Sequence, residues 1–192
     1  MMKLCSCRHA PDGRGSLNSA RRQLIGFAAL ASVAALLGCS EPVGGIKALT
    51  PVEIGSATTC ELDGMLLADY PGPKAQIFYA GADESVFMCD TVELFHTLLN
   101  PEQVRKVAAV YVQDMGKADW DQPRGNWMDA TQGLYVLGAK RTGSMGPTIA
   151  SFSSESDAQV FIAKWGGKLL RYAEVTPDMV DLSGGALNDT RM

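Results

Sequence analysis

Residues 75–99, AQIFYAGADESVFMCDTVELFHTLL, change from a strand pattern to a helix pattern within one continuous run. Two short β-prone segments, at residues 75–80 and 85–89, are separated by Gly, Ala, Asp and Glu at residues 81–84. Short apolar runs on either side of a turn-rich gap are typical of a β-hairpin. The stretch therefore predicts two antiparallel strands that lead directly into a helix.

That helix has a start signal, an apolar stripe and a stop signal. Asp90 or Thr91 can cap its first turn, and Asn100–Pro101 ends it. Between these points the apolar residues recur at helical spacing, namely Val92, Phe95, Leu98 and Leu99. The valine-rich residues 104–112 then predict a third strand. Together these segments predict a β-β-α-β unit.

A later part of the chain repeats this order of patterns. Residues 133–138 and 148–152 predict two strands, Ser153 or Ser154 can cap a helix, and residues 168–175 predict a returning strand. Two consecutive glycines end this second helix, and its inward side is predicted to carry Val160, Phe161 and Trp165. We therefore predict an α+β fold made of two β-β-α-β units.

The N-terminal region predicts an export signal. Arg21 and Arg22 precede the apolar run 24–37, which is shorter than the roughly 20 residues that span a bilayer. The run ends in Leu-Leu-Gly followed by Cys39, which resembles a bacterial lipobox with Cys39 as the lipidated residue. An ordinary signal peptide with an incidental cysteine is the alternative, and the arginine pair leaves the general secretory and twin-arginine routes both open.

These patterns predict five consecutive segments. Residues 1–38 are a lipoprotein signal peptide, and residues 39–57 are a tether without a sustained period. The two β-β-α-β units occupy residues 58–125 and 126–176. Residues 177–192, which end in polar side chains, are predicted to form a flexible tail.

Composition argues against several classes of function. Residues 39–192 carry 12 basic and 20 acidic side chains, whereas a nucleic-acid-binding domain presents a basic footprint. Their single histidine, His96, falls on the apolar-leaning side of the first helix and is interpreted as structural, which leaves Ser-His or Cys-His catalysis without a base. Paired zinc-ligand spacings and a phosphate-binding loop with Lys-Ser/Thr are also missing from the sequence. We therefore expect no nucleic-acid partner and no enzymatic activity.

Cys60 and Cys89 are the cysteines left after signal removal and lipidation. In an oxidising compartment the default for two cysteines is a disulfide. One interpretation is therefore a non-metal lipoprotein scaffold with a Cys60–Cys89 disulfide. The other makes Cys60 a metal ligand and Cys89 a core thiol at the end of a strand.

Two methionines occur in segments that are poorly suited to a core. Met65 follows a glycine five residues after Cys60, and Met145 lies in TGSMGP at residues 142–147. Loops of this composition run over the surface, and thiolate and thioether donors select Cu(I). We therefore predict Cys60, Met145 and Met65 as Cu(I) ligands, and we interpret the remaining candidates, Met88 and Met115, as core residues.

Several motifs resemble those of the NosL family, the periplasmic lipoproteins that serve maturation of the copper enzyme nitrous oxide reductase. The motifs are LLGC at 36–39, CELDGM at 60–65, YPGPKAQI at 70–77, SMGP at 144–147 and KWGG at 164–167. The resemblance covers about residues 39–176. It departs from the family pattern at Asp63, where many relatives have a cysteine in a Cys-Gly-Met motif.

The resemblance implies a Cu(I)-binding chaperone with a topology similar to that of organomercurial lyase. By position Cys60 and Met145 would be the ligands, with Met65 as a possible third, and Asp63 is a poor donor for Cu(I). It also implies a periplasmic protein anchored to a membrane through Cys39, with nitrous oxide reductase and a membrane ABC-transporter complex as partners. A catalytic relative of the lyase is the remaining interpretation, and the lack of a catalytic cysteine pair argues against it.

Overall fold

The computed structural model describes residues 49–182. The predicted signal peptide and the lipidation site Cys39 lie outside the described residues. Within this range no helix has the length and apolar content needed to cross a bilayer.

A four-stranded antiparallel sheet forms the first part of the domain. Its strands are β1 (Ala75–Tyr79), β2 (Val86–Met88), β3 (Val107–Gln113) and β4 (Trp127–Asp129), in the order β2-β1-β3-β4. Every residue of β1 is buried, as expected for a central strand with both faces covered. The predicted hairpin and third strand are therefore present.

Helix α1 (Thr91–Leu99) connects β2 to β3. The Asp90 side chain accepts a hydrogen bond from the backbone N–H of Val92 and so satisfies one free donor of the first turn. Leu94 and Phe95 are buried against the sheet. The cap and the end of this helix agree with the prediction from its sequence.

A second antiparallel sheet contains β5 (Leu134–Leu137), β8 (Ala150–Phe152) and β9 (Lys168–Arg171), in the order β8-β5-β9. A two-stranded ribbon, β6 (Thr142–Gly143) and β7 (Gly146–Pro147), is inserted between β5 and β8. Helix α2 (Glu155–Trp165) precedes β9 and ends at its C-cap residue Gly166, which has φ +75°.

The structure confirms a mixed domain of antiparallel sheets and two helices. In the first sheet β1 lies between β2 and β3, and in the second sheet β5 lies between β8 and β9. In both parts a helix connects the second of these strands to the third. An internal repeat and the likeness to organomercurial lyase stay predictions. The two parts share a core, in which the rings of Phe95 and Tyr135 meet edge to face at 4.9 Å.

Several details differ from the prediction. The sequence predicts no strand at residues 127–129, which the boundary at residue 126 places in the second unit, but these residues form β4, which pairs with β3 and extends the first sheet. Val104 is 91% exposed and lies before β3, which begins at Val107. Val160 is 71% exposed, so its predicted inward position is wrong, whereas Phe161 is buried. The helix has only a narrow apolar face, and a valine beside that face points to solvent.

Both ends of the described chain are attached to the domain. Ile54 is buried, and Gln76 exchanges two hydrogen bonds with the backbone of Val52, at 2.9 and 2.7 Å. Residues 49–57 therefore pack on the sheet rather than acting as part of a tether. At the other end Val180 is buried and its carbonyl lies 3.1 Å from Nδ1 of His96, so the predicted tail is ordered through this point. This contact also agrees with a structural role for His96.

Candidate metal centre

The Cys60 loop is closed by its own backbone. The amide of Cys60 donates to the Met65 carbonyl at 2.9 Å, and the amide of Gly64 donates to the Cys60 carbonyl at 3.0 Å. The Asp63 carboxylate accepts from the amide of Met65 at 2.9 Å. Gly64 has φ +77°, a conformation that glycine adopts without strain. The loop places the Cys60 side chain inward, where the residue is 3% exposed.

The two cysteines meet at the carboxylate of Glu93 on helix α1. The Cys60 thiol donates to Oε2 of Glu93 at 3.2 Å, and the backbone amide of Cys89 donates to the same oxygen at 3.0 Å. Cys89 and Glu93 are both buried. One carboxylate oxygen therefore links a loop residue to the junction between β2 and α1.

Four potential ligand atoms converge at this point. The Sγ atoms of Cys60 and Cys89 and a carboxylate oxygen each from Asp63 and Glu93 lie within 4.8 Å of one another. Asp63 is exposed, whereas the other three residues are buried. Such a group of sulfur and oxygen donors has the dimensions of a metal-binding site, with its open side toward Asp63.

Electrostatics disfavour additional negative charge in this cluster. A hydrogen bond with Cys60, burial and the neighbouring Glu93 carboxylate raise the pKa of the Cys89 thiol well above its usual range. Burial also raises the pKa of Glu93, against hydrogen bonds from the two cysteines that lower it. A bound cation would offset the charge of the ionised donors.

Both predicted thioether ligands lie beside this cluster. Met65 and Met145 are half-buried and pack against the hydrophobic group formed by Ile54, Cys60, Leu67 and Cys89. The structure therefore brings all three sequence-predicted ligands, Cys60, Met65 and Met145, to one place. Met88 and Met115 are core residues, as predicted.

The Met145 loop is attached to the rest of the site through Lys74. This lysine is completely buried, and its three ammonium donors reach the Pro71 carbonyl at 2.8 Å, the Cys89 carbonyl at 3.0 Å and the Ser144 hydroxyl at 2.6 Å. Ser144 in turn donates to the Cys89 carbonyl at 2.5 Å. Because Ser144 precedes Met145, these bonds fix the ribbon that carries the thioether.

Asp90 provides the negative partner for this network. Its carboxylate accepts from the Ser144 amide at 3.2 Å and from the Thr148 hydroxyl at 2.6 Å, while also capping α1. Burial raises the pKa of Asp90, and its hydrogen bonds and the Lys74 charge counteract that rise. Burial also lowers the pKa of Lys74 to about 8, against the nearby Asp90 charge. The buried charges thus connect both chain segments of the site.

Two glycines allow the loops to approach. Gly72, in the Pro-Gly-Pro turn, has φ +83°, and a Cβ at this position would lie 2.7 Å from Cα of Gly143. A Cβ on Gly143 would collide with Asp90 and Thr148. The backbone of the turn therefore touches the backbone of the ribbon, which explains why glycine is needed on both sides.

Sequence reasoning missed part of this arrangement. The sequence predicts Cys89 as either a disulfide partner of Cys60 or a core thiol, and it predicts no role for Glu93. An acidic residue within the apolar stripe of α1, next to Leu94 and Phe95, was the available signal. The position of Lys74 inside the core had no such signal, since its partners come from distant segments.

The disulfide of the alternative interpretation is absent. Both cysteines of residues 49–182 are free thiols, although their sulfur atoms lie within 4.8 Å of one another. The site consequently retains two potential thiolate donors.

Comparisons with known proteins show the family of this chain. The model of the family described as NosL matches residues 51–180, which includes every residue of the site. The chain belongs to the NosL family. Its resemblance to this family, drawn from the sequence motifs, is thereby confirmed.

Relatives of this NosL-family chain carry names that refer to copper. It is 36% identical over 141 residues to the copper-binding lipoprotein NosL of Stutzerimonas stutzeri, which covers 73% of each chain. It is 37% identical over 164 residues to the copper-binding lipoprotein NosL of Achromobacter cycloclastes, with 83% of this chain and 84% of the relative covered. The crystal structure of the copper chaperone NosL from Shewanella denitrificans is similar, with a TM-score of 0.65 and 39% identity over 67% of this chain and 97% of that one.

Proposed function

We propose that this protein is a Cu(I) chaperone that holds its cargo with Cys60, Met145 and Met65. The observation that carries the proposal is that one hydrophobic cluster contains the buried thiol of Cys60 and is contacted by two half-buried methionines, one from the same loop and one from the β6–β7 ribbon. Soft sulfur donors select Cu(I) over the harder divalent ions. The copper-binding names of its relatives support the same cargo.

We further propose that copper passes from this site to nitrous oxide reductase, with the membrane ABC-transporter complex as partner and without catalysis by the chaperone. Partial exposure of Met65 and Met145 gives an incoming donor access to the metal. Leu62 and Leu66, on the same loop as Met65, are 48% and 39% exposed and provide apolar contact area for docking.

In this proposal the protein is held at a membrane, on its periplasmic side, by a lipid on Cys39. The lipobox-like motif and the lipoprotein names of the relatives support the anchor. Labelling with a fatty-acid analogue should mark the wild-type chain and leave Cys39→Ser unmarked in the soluble fraction. Equal labelling of both chains would disprove the anchor at this residue.

Anaerobic Cu(I) titration against a chromophoric chelator tests the cargo and its ligands. The background is the full chain with Cys5, Cys7 and Cys39 replaced by serine, so that Cys60 and Cys89 are its remaining thiols. We expect one equivalent of Cu(I) to bind, and Cys60→Ala to abolish tight binding. Met145→Leu should weaken it by more than about tenfold, whereas the matched control Met128→Leu, a partly buried methionine of β4, should not. Binding that survives both Cys60→Ala and Met145→Leu would refute the site.

Transfer is tested with the copper-free reductase as acceptor. Copper-loaded chaperone should restore copper to it faster than the same concentration of Cu(I)–chelator complex. No advantage over the chelator complex would contradict the proposed delivery while leaving copper binding intact.

A further inference from the structure

Cys89 has surroundings unlike those of a core cysteine. A buried free cysteine normally behaves as a small apolar side chain. Here Sγ lies beside the Cys60 thiol and two carboxylates, at 4.0 Å from Oδ2 of Asp63. A purely structural thiol needs no such group of donors around it.

Cys89 also connects the two halves of the site through its backbone. Its amide is held by Glu93 at 3.0 Å, and its carbonyl accepts from Lys74 and from Ser144, next to Met145. The backbone of Cys89, which carries the Sγ atom, is therefore held on one side by helix α1 and on the other by Lys74 and the Met145 ribbon. A rigidly held donor at this position is preorganised for a shared ion.

The charges of the cluster favour a cation together with the thiolates. Two ionised thiols without a metal would add negative charge beside Glu93, in a buried environment where such charge is costly. A Cu(I) ion bound by both sulfurs offsets one of those two negative charges. Carboxylate oxygens are poor donors for Cu(I), so Glu93 is a neighbour of the metal rather than a ligand.

We propose that Cys89 supplies a second thiolate to the copper site, so that Cu(I) is held by Cys60, Cys89 and a thioether. This inference rests on the proposed function and places Cys89 among its ligands in place of one of the two thioethers. When the ion binds, each thiol loses its proton to solvent and two S–Cu bonds form, with no change in oxidation state. Cys89 is completely buried and the methionines are half-buried, so the metal would be exchanged from the thioether side.

The experiment compares Cys89→Ser, Cys60→Ser and the control Met88→Leu in the same full chain with Cys5, Cys7 and Cys39 replaced by serine. Met88 is a buried neighbour of Cys89 in the sequence, so it controls for disturbance at the end of β2. Circular dichroism first establishes that each variant is folded. Cu(I) affinity, sulfur neighbours by X-ray absorption and protons released in weak buffer near neutral pH are then measured.

We expect Cys89→Ser to weaken Cu(I) binding by more than about 100-fold, beyond the usual effect of removing an outer-shell partner. Proton release per copper should fall from two to one, and one sulfur neighbour should be lost. Unchanged affinity, proton release and sulfur count in Cys89→Ser would overturn the inference. If only Cys60→Ser loses copper, the proposed function stands without Cys89. If neither serine variant loses copper, the proposed function itself fails.

Replacement of Cys89 by alanine separates packing from ligation if the serine variant does not fold. A core thiol predicts that Cys89→Ala changes stability but preserves two-proton release. If Cys89 is a ligand, the Cys89→Ala variant should release one proton for each copper ion that it binds. Either result decides the role of Cys89.

Discussion

The ammonium nitrogen of Lys74 lies 2.6 Å from the hydroxyl oxygen of Ser144, a residue 70 positions further along the chain. This contact joins the Pro-Gly-Pro segment to the ribbon that carries Met145. It also explains how a lysine can be completely buried, because all three of its donors find oxygen acceptors.

Lys74→Met should destabilise the protein by about 2–4 kcal/mol, because three carbonyl or hydroxyl partners lose a charged donor inside the core. Urea unfolding of the reduced, copper-free protein measures this change. Lys106→Met is the control, since Lys106 is exposed and its replacement should have an effect within about 0.5 kcal/mol. Equal stability of the two variants would contradict the role assigned to Lys74.

The contribution of Lys74 to the stability of the wild type should rise with pH between about 8 and 10.5. Burial lowers the pKa of Lys74 from 10.5 to about 8, so in this window the unfolded chain binds the proton and the folded chain does not. The Lys74 contribution to the free energy of unfolding therefore increases with pH, by up to about 3 kcal/mol above pH 10.5, and this gain is lost as pH falls through 8. Subtracting the unfolding free energy of Lys74→Met at each pH removes the titration of other groups. A flat difference across the window would be inconsistent with the lowered pKa.

Gly72→Ala should weaken both folding and Cu(I) binding. The added Cβ would lie 2.7 Å from Cα of Gly143 and would push the Met145 ribbon away from the Cys60 loop. Gly81→Ala is a matched control, because Gly81 has nearly the same φ, +81°, but no atom within 4 Å of its Cβ position. Both variants should lose about 1–3 kcal/mol of stability from backbone strain. Gly72→Ala should lose more, together with at least about tenfold in copper affinity, as measured by chelator competition.

Truncation of Phe161 should destabilise the protein strongly, whereas truncation of its neighbour Val160 should have almost no effect on stability. Phe161 is buried and stacks on Trp120 at 5.3 Å between ring centroids, so Phe161→Ala should cost about 3–5 kcal/mol. Val160 is 71% exposed, so Val160→Ala should stay within about 0.5 kcal/mol. Thermal unfolding of both variants tests the orientation of α2, and a large loss at Val160 would contradict it.

Local signals predicted most of the fold. The hairpin 75–89, the Asp90 cap and the glycine stop at Gly166 all depend on neighbouring residues, and they agree with the structure. Strand β4 was missed because it has three residues and is defined by its pairing with β3. The error at Val160 has a similar origin, since a short apolar stripe does not define which adjacent residue faces the core.

Local sequence signals also predicted part of the candidate site. Glycine and proline around Met65 and Met145 placed them in loops, and the structure brings both beside Cys60. Cys89 required the three-dimensional fold, because its neighbours Cys60 and Glu93 are brought together by a loop and a helix rather than by a motif. Hydrogen bonds through a buried lysine are likewise invisible in a linear pattern.

In the proposed copper site, the ribbon of β6 and β7 determines where the donor at residue 145 lies, and the residue type determines which donor it is. Its placement depends on Ser144, Gly143 and their contacts to Asp90 and Lys74, whereas Met145 contributes a half-buried thioether. Residue 145 can therefore be exchanged for histidine or cysteine while its anchoring bonds are kept. This single position offers a way to retune the metal preference of the protein without redesigning its scaffold.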